Sequence, residues 1–196
     1  MGRLLLGILL GIVLAPALVF AWLRWGHPPV AVADDPLPAE RALTRIPLHA
    51  RIHSQMPSIA PIQPTEDNLV AGAQVYAQQC AACHGVHGRP SPFAAHMYPT
   101  APPLWEKHRN RDVVGVSDDP VGETYWKVAN GIRLTGMPAY RDILSDTRIW
   151  QVTLLLANAD KPLPPAALRI LTVPASAPFL APAPFSTAPS PTAPFH

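Results

Sequence analysis

The feature that most constrains this chain of 196 residues is a pair of cysteines followed at once by a histidine. Two residues separate Cys80 from Cys83, and His84 comes directly after the second cysteine. This spacing is typical of c-type haem attachment, in which each sulfur bonds to one haem vinyl group and the histidine binds the iron. The sequence therefore predicts one covalently attached haem c, with its iron held by His84.

Two other kinds of site use the same cysteine spacing, a zinc knuckle and a redox dithiol. A structural zinc ion needs four ligands, but the chain has 2 cysteines, and His84 and His87 lie too close to them for a familiar finger spacing. A redox dithiol usually opens a helix, where the helix dipole lowers the pKa of the thiol, whereas this pair is expected to close a helix. The haem interpretation is therefore favoured, and zinc is the stronger alternative.

An apolar segment lies close to the N-terminus, between Arg3 and Arg24. Residues 4–23 are long enough to cross a hydrocarbon core of about 30 Å, so residues 1–25 are expected to form a transmembrane anchor. A secretory signal cleaved after Ala33 is the alternative, although the apolar segment is longer than the core of most signals. Because c-type haem is attached outside the cytoplasm, the expected location is the bacterial inner membrane, with a cytoplasmic N-terminus and a periplasmic haem domain.

The 26 prolines of the chain are concentrated towards its two ends. Residues 26–64 show little periodicity and predict a tether rich in proline and alanine, whose last portion is expected to wrap the folded domain as an apolar strap. Residues 162–196 repeat Pro, Ala, Ser, Thr and Phe without a period, so a disordered tail is expected there. The folded domain is thus predicted to span residues 65–161, the usual size of one small domain.

Helix signals divide residues 65–161 into three segments. The first helix is expected to begin after the N-cap Thr65 and to run into the cysteine pair. The second begins around Pro120 and ends at Gly131, because proline fits a first turn and glycine fits a left-handed exit. The third begins after Ser145 and carries a broad apolar face. Strand signals are nearly absent, so the expected fold class is all-α.

Together these residues resemble the class I cytochrome c family, and in particular its small bacterial members with a membrane anchor. The resemblance covers about residues 65–161. It is carried by Gly72 and Tyr76 ahead of Cys80, the haem motif itself, Pro102-Pro103-Leu104, Gly136-Met137-Pro138 and Trp150 in a terminal helix. It implies a small all-α haem domain in which Gly72, lacking a Cβ, lets the first helix cross the last one closely. Leu155 departs from the family, which commonly has an aromatic residue there.

The resemblance also implies the second axial ligand of the iron, which is Met137. Met97 and His96 form the next candidate cluster, and His108 also follows the motif. His87 lies too near His84 along the chain to reach the other face of the haem.

Further residues are expected to support the haem. By resemblance, the carbonyl of Pro102 accepts a hydrogen bond from His84, and Leu104 packs against the haem. Four others are assigned either to the haem wall and its propionates or to ordinary packing: Trp105, Tyr125, Trp126 and Arg133.

A haem iron with both axial positions filled predicts a one-electron carrier rather than an enzyme. The net charge of the folded domain is close to zero, which disfavours nucleic acid as a partner. The expected partners are redox proteins that act as electron donors and acceptors in a respiratory or dehydrogenase chain. Two alternatives remain open. One is a haem subunit fixed in a larger oxidoreductase complex and recruited by the proline-rich tail, and the other is a haem enzyme or gas sensor with an open distal site.

Overall fold

The computed structural model describes residues 1–109 and 111–172. Within these residues the chain forms helices and two isolated bridges but no strand, which confirms the predicted all-α class. The helices are α1 (Gly2–Trp25), α2 (Glu40–Gln55), α3 (Glu66–Gln79), α4 (Ala81–His84), a short 3-10 helix (Ala94–His96), α5 (Val121–Asn130), α6 (Asp146–Ala157) and α7 (Pro165–Thr172).

The chain divides into two compact units, of which the first comprises Met1–Ser54. Its helix α1 has 24 residues, a length of roughly 36 Å at 1.5 Å per residue. None of its side chains is buried. Among the described residues it is the one helix that is long and apolar enough to cross a membrane. A signal sequence near the N-terminus meets the same criteria.

Helix α2 lies inside the segment predicted to be a tether, so that prediction is wrong for Glu40–Gln55. The carboxylate of Glu40 accepts a hydrogen bond of 3.1 Å from the backbone N–H of Leu37, which helps to start the helix. Pro47 lies within the helix and removes one backbone hydrogen bond. Two of its large apolar residues, Leu43 and Ile46, are 71% and 70% exposed, and Ile52 is the buried residue of the helix.

The second unit, from Gln55 onwards, contains helices α3 to α7. Its first residues pack on α5, in line with the expected strap. The indole N–H of Trp126 donates to the side-chain carbonyl of Gln55 at 3.1 Å. The carbonyl of Pro57 lies directly against Gly122, where a Cβ would collide with it. The last portion of the predicted tether is therefore part of the folded domain.

The three predicted helices of this unit are present with the expected caps. The hydroxyls of Thr65 and Ser145 each accept a backbone hydrogen bond of 3.4 Å in the first turn of their helices, α3 and α6. The two helices cross closely at Gly72, because a Cβ there would collide with the carbonyl of Gln151 and lie 3.1 Å from the Cβ of Leu155. The close crossing predicted for Gly72 is therefore confirmed, with fully buried Leu155 beside it.

Helix α7 shows that the predicted tail does not begin at residue 162. Leu163, Ala167 and Leu171 recur every four residues, are all buried, and belong to the same core as α3. Leu163 precedes the helix, Ala167 and Leu171 are its buried residues, and proline is well suited to its first turn. The four-residue spacing is hard to recognise in the sequence, because prolines and alanines surround these three residues. Residues 173–196 of the predicted tail lie outside the described residues.

Replacing Leu171 with alanine tests whether α7 belongs to the folded domain. The Leu171 side chain is fully buried, so its truncation is expected to lower the free energy of unfolding by about 2–5 kcal/mol. Arg169→Ala, on the exposed face of the same helix, is the matched control and is expected to stay within about 0.5 kcal/mol. Chemical denaturation of both variants measures the difference, and equal stabilities would contradict the docking of α7.

Candidate haem-attachment site

The end of α3 and the short helix α4 together present the cysteine and histidine side chains. The backbone N–H of Cys80 bonds to the Tyr76 carbonyl, and that of His84 bonds to the Cys80 carbonyl, both at 2.9 Å. Residues three and four apart lie on one side of a helix, so Cys80, Cys83 and His84 share a face. Gly85 then ends the helix with a φ of 78°. Cys80 ends α3 as predicted, but Cys83 and His84 lie in the separate helix α4.

The imidazole of His84 is held by a backbone acceptor. Its Nδ1–H donates a hydrogen bond of 2.8 Å to the carbonyl of Pro102, so the acceptor expected from the resemblance is present. With Nδ1 engaged, Nε2 carries the lone pair that can bind a metal. Burial lowers the pKa of His84, and the bond to Pro102 opposes this shift in part. The imidazole is therefore neutral at pH 7, the form that binds iron.

The two cysteines are free thiols in the structure. Burial raises the pKa of Cys80 to about 12, and the neighbouring Cys83 adds to the shift. Redox dithiols depend on a lowered thiol pKa, so this environment is unsuited to that chemistry. Residues 1–109 and 111–172 also contain no group of three or more His, Cys, Asp or Glu side chains arranged to hold a metal ion. Both alternatives to haem thus lose support.

A buried aromatic pair lies next to the motif. The rings of Tyr76 and Trp105 meet edge to face with centroids 5.4 Å apart. The Tyr76 hydroxyl donates to the carbonyl of Gly85 at 2.8 Å. The Trp105 indole N–H is buried near that hydroxyl without an aligned hydrogen-bond partner in the described chain. A buried donor without an acceptor is costly, and an acceptor on a bound group would satisfy it. Free thiols, an oriented imidazole and this donor all fit a haem.

Met137 lies in a loop that follows α5. The helix ends at Gly131 with a φ of 66°, and the N–H of Ile132 bonds to the Met137 carbonyl at 3.2 Å. The N–H of Met137 donates to the hydroxyl of Thr135 at 3.1 Å. Met137 itself is half-buried and packs against the core. This loop, residues 131–140, is called the methionine loop below, and its assignment as the source of an iron ligand stays a prediction.

A single hydrogen bond ties the methionine loop to the haem motif. The hydroxyl of Tyr140 donates to the carbonyl of Gln79 at 2.8 Å. Gln79 is the last residue of α3 and precedes Cys80. Burial raises the pKa of Tyr140 to about 12, and the thiols of Cys80 and Cys83 add to the shift. Sequence analysis missed Tyr140, because its acceptor is a backbone carbonyl 61 residues away.

The other candidate ligands differ in where the structure places them. The methyl carbon of Met97 lies 2.5 Å from the position that a Cβ of Gly136 would occupy, so Met97 reaches the methionine loop. His96 is exposed. His108 is held within its own segment, where its Nε2 lies 2.6 Å from the carbonyl of Gly115.

The residues expected to support the haem are found mostly in packing roles. Leu104, which the resemblance places against the haem, is buried within the core cluster. Tyr125 stacks on Trp150 with centroids 4.1 Å apart. Trp126 bonds to Gln55 as described above, and Arg133 is exposed. Trp105, with its unpaired N–H, is the member of this group that retains a donor for a bound cofactor.

Tyr140→Phe tests the link between the methionine loop and the motif. The substitution removes the hydroxyl of buried Tyr140 that donates to the Gln79 carbonyl, so the free energy of unfolding is expected to fall by about 0.5–1.5 kcal/mol. Ser54→Ala, which removes an exposed hydroxyl that donates to the Arg51 carbonyl at 2.9 Å, is the control. Chemical denaturation at neutral pH measures the loss, and an unchanged stability would show that the bond contributes nothing.

The same variant predicts a pH dependence. The pKa of Tyr140 is raised from 10.0 to about 12, so the folded protein disfavours its ionisation. A raised pKa contributes stability that is fully present below pH 10 and is lost as the pH rises towards 12. We expect wild type to lose more stability across this window than Tyr140→Phe, as measured by denaturation at a series of pH values. If wild type and Tyr140→Phe lost the same stability between pH 10 and pH 12, the raised pKa of Tyr140 would be contradicted.

Comparison with protein families finds a match over residues 67–155 to the family described as cytochrome C oxidase, cbb3-type, subunit III. The matched residues run from α3 to α6 and include Cys80, Cys83, His84 and Met137. They are less than half of the chain. None of the curated proteins or solved structures compared with the chain matches it. With its haem-attachment motif and its crossing of α3 and α6, this part of the chain is similar to a c-type cytochrome family.

Proposed function

We propose that this protein is a membrane-anchored cytochrome with one haem c, which carries single electrons between redox proteins. One observation carries the proposal. The methionine loop, with its half-buried Met137, is tied by Tyr140 to the helix that ends in the Cys-x-x-Cys-His motif. A haem bound there would supply one-electron oxidation and reduction. Because both cysteines of the chain belong to this motif, the proposal includes a single haem c.

Each residue of the site has a defined part in this function. Cys80 and Cys83 would hold the haem through thioether bonds, and His84 would bind the iron through Nε2 while Pro102 fixes its ring. Met137 would be the second iron ligand, and a Met/His pair raises the reduction potential relative to other ligand sets. Buried Leu104 would pack beside the haem. No side chain is needed as an acid, base or nucleophile.

The proposed membrane anchor determines the compartment in which the haem domain lies. Helix α1 is proposed to cross a bacterial inner membrane, with the N-terminus in the cytoplasm. Its apolar side chains face outwards along its length, as lipid contact requires. The haem domain then lies in the periplasm, where c-type haem is attached. From there the domain meets its electron donor and acceptor.

The family match favours one further candidate, a haem subunit fixed in a larger oxidoreductase complex. The matched family is described as subunit III of an oxidase. In such a complex the same site would still pass single electrons, and only the persistence of the contact with the partner would differ. Size-exclusion chromatography of gently solubilised membranes separates the two candidates, because a fixed subunit elutes with its complex and a free carrier elutes alone.

Met137→Ala tests the second axial ligand in the haem-loaded protein. Loss of the thioether is expected to let the reduced protein bind carbon monoxide promptly. The reduction potential is also expected to fall by more than about 59 mV, a tenfold change in a one-electron equilibrium. Met56→Ala, which truncates another half-buried methionine, is the control. Absorption spectra with and without carbon monoxide and a redox titration provide the measurements.

Two outcomes would contradict this assignment. If Met137→Ala kept the wild-type spectrum and potential, Met137 would not be the ligand. If the wild-type protein itself bound carbon monoxide promptly, the iron would have an open position, and the enzyme or gas-sensor alternative would replace electron transfer.

The anchor is tested by following the N-terminus of the protein. An uncleaved anchor predicts that the full chain stays in the membrane fraction after an alkaline wash, with residue 1 or 2 at its N-terminus. A chain that begins at Asp34 behind an unrelated cleavable signal is expected to be released as a soluble haem protein. If the full chain were itself found to begin at Asp34, the segment would be a cleaved signal.

A further inference from the structure

We propose that Met97 is a positioning residue for the methionine loop: its side chain packs on Gly136 and holds Met137 at the haem iron. This inference rests on the proposed role of Met137 as axial ligand. It assigns Met97, the alternative ligand candidate, to a contact that acts through the loop.

The contact itself is close. The methyl carbon of Met97 lies 2.5 Å from the position that a Cβ on Gly136 would take. The methyl therefore occupies the space that every other residue type would fill with its own side chain. Met97 is half-buried, whereas the preceding His96 is exposed. A flexible thioether side chain is well suited to fill such an irregular gap.

The backbone that carries Met97 is anchored to the haem motif on both sides. Before it, the buried hydroxyl of Ser91 donates to the carbonyl of Ala82, which lies between the two cysteines. After it, the carbonyl of Pro102 accepts the hydrogen bond of 2.8 Å from His84. Within the segment, the Thr100 hydroxyl donates to the Met97 carbonyl at 3.4 Å. The position of Met97 is thus defined relative to the motif.

The methionine loop has hydrogen bonds to the rest of the domain at its two ends, and Met137 packs against the core. Its first residue follows α5 directly, and Tyr140 at its far end bonds to Val128 through the backbone and to Gln79 through its hydroxyl. Gly136, at the centre of the turn, is exposed. The Met97 methyl supplies a contact at this otherwise open side, one residue before Met137.

The position of Gly136 decides where Met137 can reach. Metal sites tolerate ligand distances within about 0.2 Å of their usual values, and consecutive residues share one rigid peptide unit. A displacement of Gly136 is therefore passed on to the backbone of Met137. Met97 thus acts as a support that relates the second ligand to the same motif that holds the first.

Four variants of the haem-loaded protein test this role. Met97→Ala is expected to fold and to keep the Met137 bond, but with an about tenfold faster binding of carbon monoxide, equivalent to about 1.4 kcal/mol. Met97→Leu should restore most of the wild-type rate, because it replaces the apolar volume without the sulfur. Gly136→Ala alone should also speed binding, because the new methyl and the Met97 methyl compete for one space.

The fourth variant combines Gly136→Ala with Met97→Ala. Because the added methyl then has room, the double variant is expected to bind carbon monoxide more slowly than either single variant. A second readout is the NMR signal of methionine methyl groups labelled with carbon-13 in the reduced protein. The signal of the iron-bound methyl should broaden or shift in Met97→Ala and return in Met97→Leu. Met56→Ala is the matched control and should change neither readout.

Several results would overturn the proposal. Wild-type rates and signals in Met97→Ala would show that the contact does not position the loop. Equal defects in Met97→Leu and Met97→Ala would mean that the sulfur, not the packing, matters. If the thioether bond to iron disappeared in Met97→Ala and persisted in Met137→Ala, Met97 would be the ligand and the proposed role of Met137 would fail as well. If the thioether bond to iron disappeared in Met137→Ala while Met97→Ala kept wild-type rates and signals, only the positioning role of Met97 would be ruled out.

Discussion

The close crossing of α3 and α6 at Gly72 determines the position of the helix that presents the haem motif. The carbonyl of Gln151 occupies the place where any other residue at position 72 would have its Cβ. The side chain of Gln151 also donates to Asn68 at 3.0 Å, which fixes the two helices along their axes. Helix α7 packs on α3 as well. The C-terminal end of α3, where the cysteines begin, therefore has one defined direction.

Three segments that are distant along the chain converge on the motif, and all three do so through backbone carbonyls. His84 donates to the carbonyl of Pro102. Tyr140 donates to that of Gln79, and Ser91 donates to that of Ala82. Two of the three donors, Ser91 and Tyr140, are themselves buried, so these hydroxyls gain a partner that water would otherwise have to supply. The bond of Tyr140 also ties the loop that carries Met137 to the helix that ends at the motif. The same hydrogen bonds therefore stabilise the domain and position the proposed iron ligands.

The family match and the structure delimit the same domain differently. The match ends at residue 155, within α6, but the core continues into α7, whose Leu171 is fully buried. At the other side, Gln55 and Pro57 pack on α5 ahead of the matched region. The folded domain is thus larger than the matched region. These additions lie outside the matched residues, which include Cys80, Cys83, His84 and Met137.

The sequence alone determined the features that depend on local chemistry. Cysteine spacing indicated the haem motif, Thr65 and Ser145 marked the helix starts, and Gly72 marked the close crossing, because each acts through its own residue type or its near neighbours. The Pro102 acceptor came from resemblance to a family. Only the tertiary structure showed Tyr140 bonded to Gln79, Met97 packed on Gly136, and the docking of α7. These depend on contacts between residues far apart in the chain and on backbone acceptors, which any residue type provides and no sequence pattern reveals.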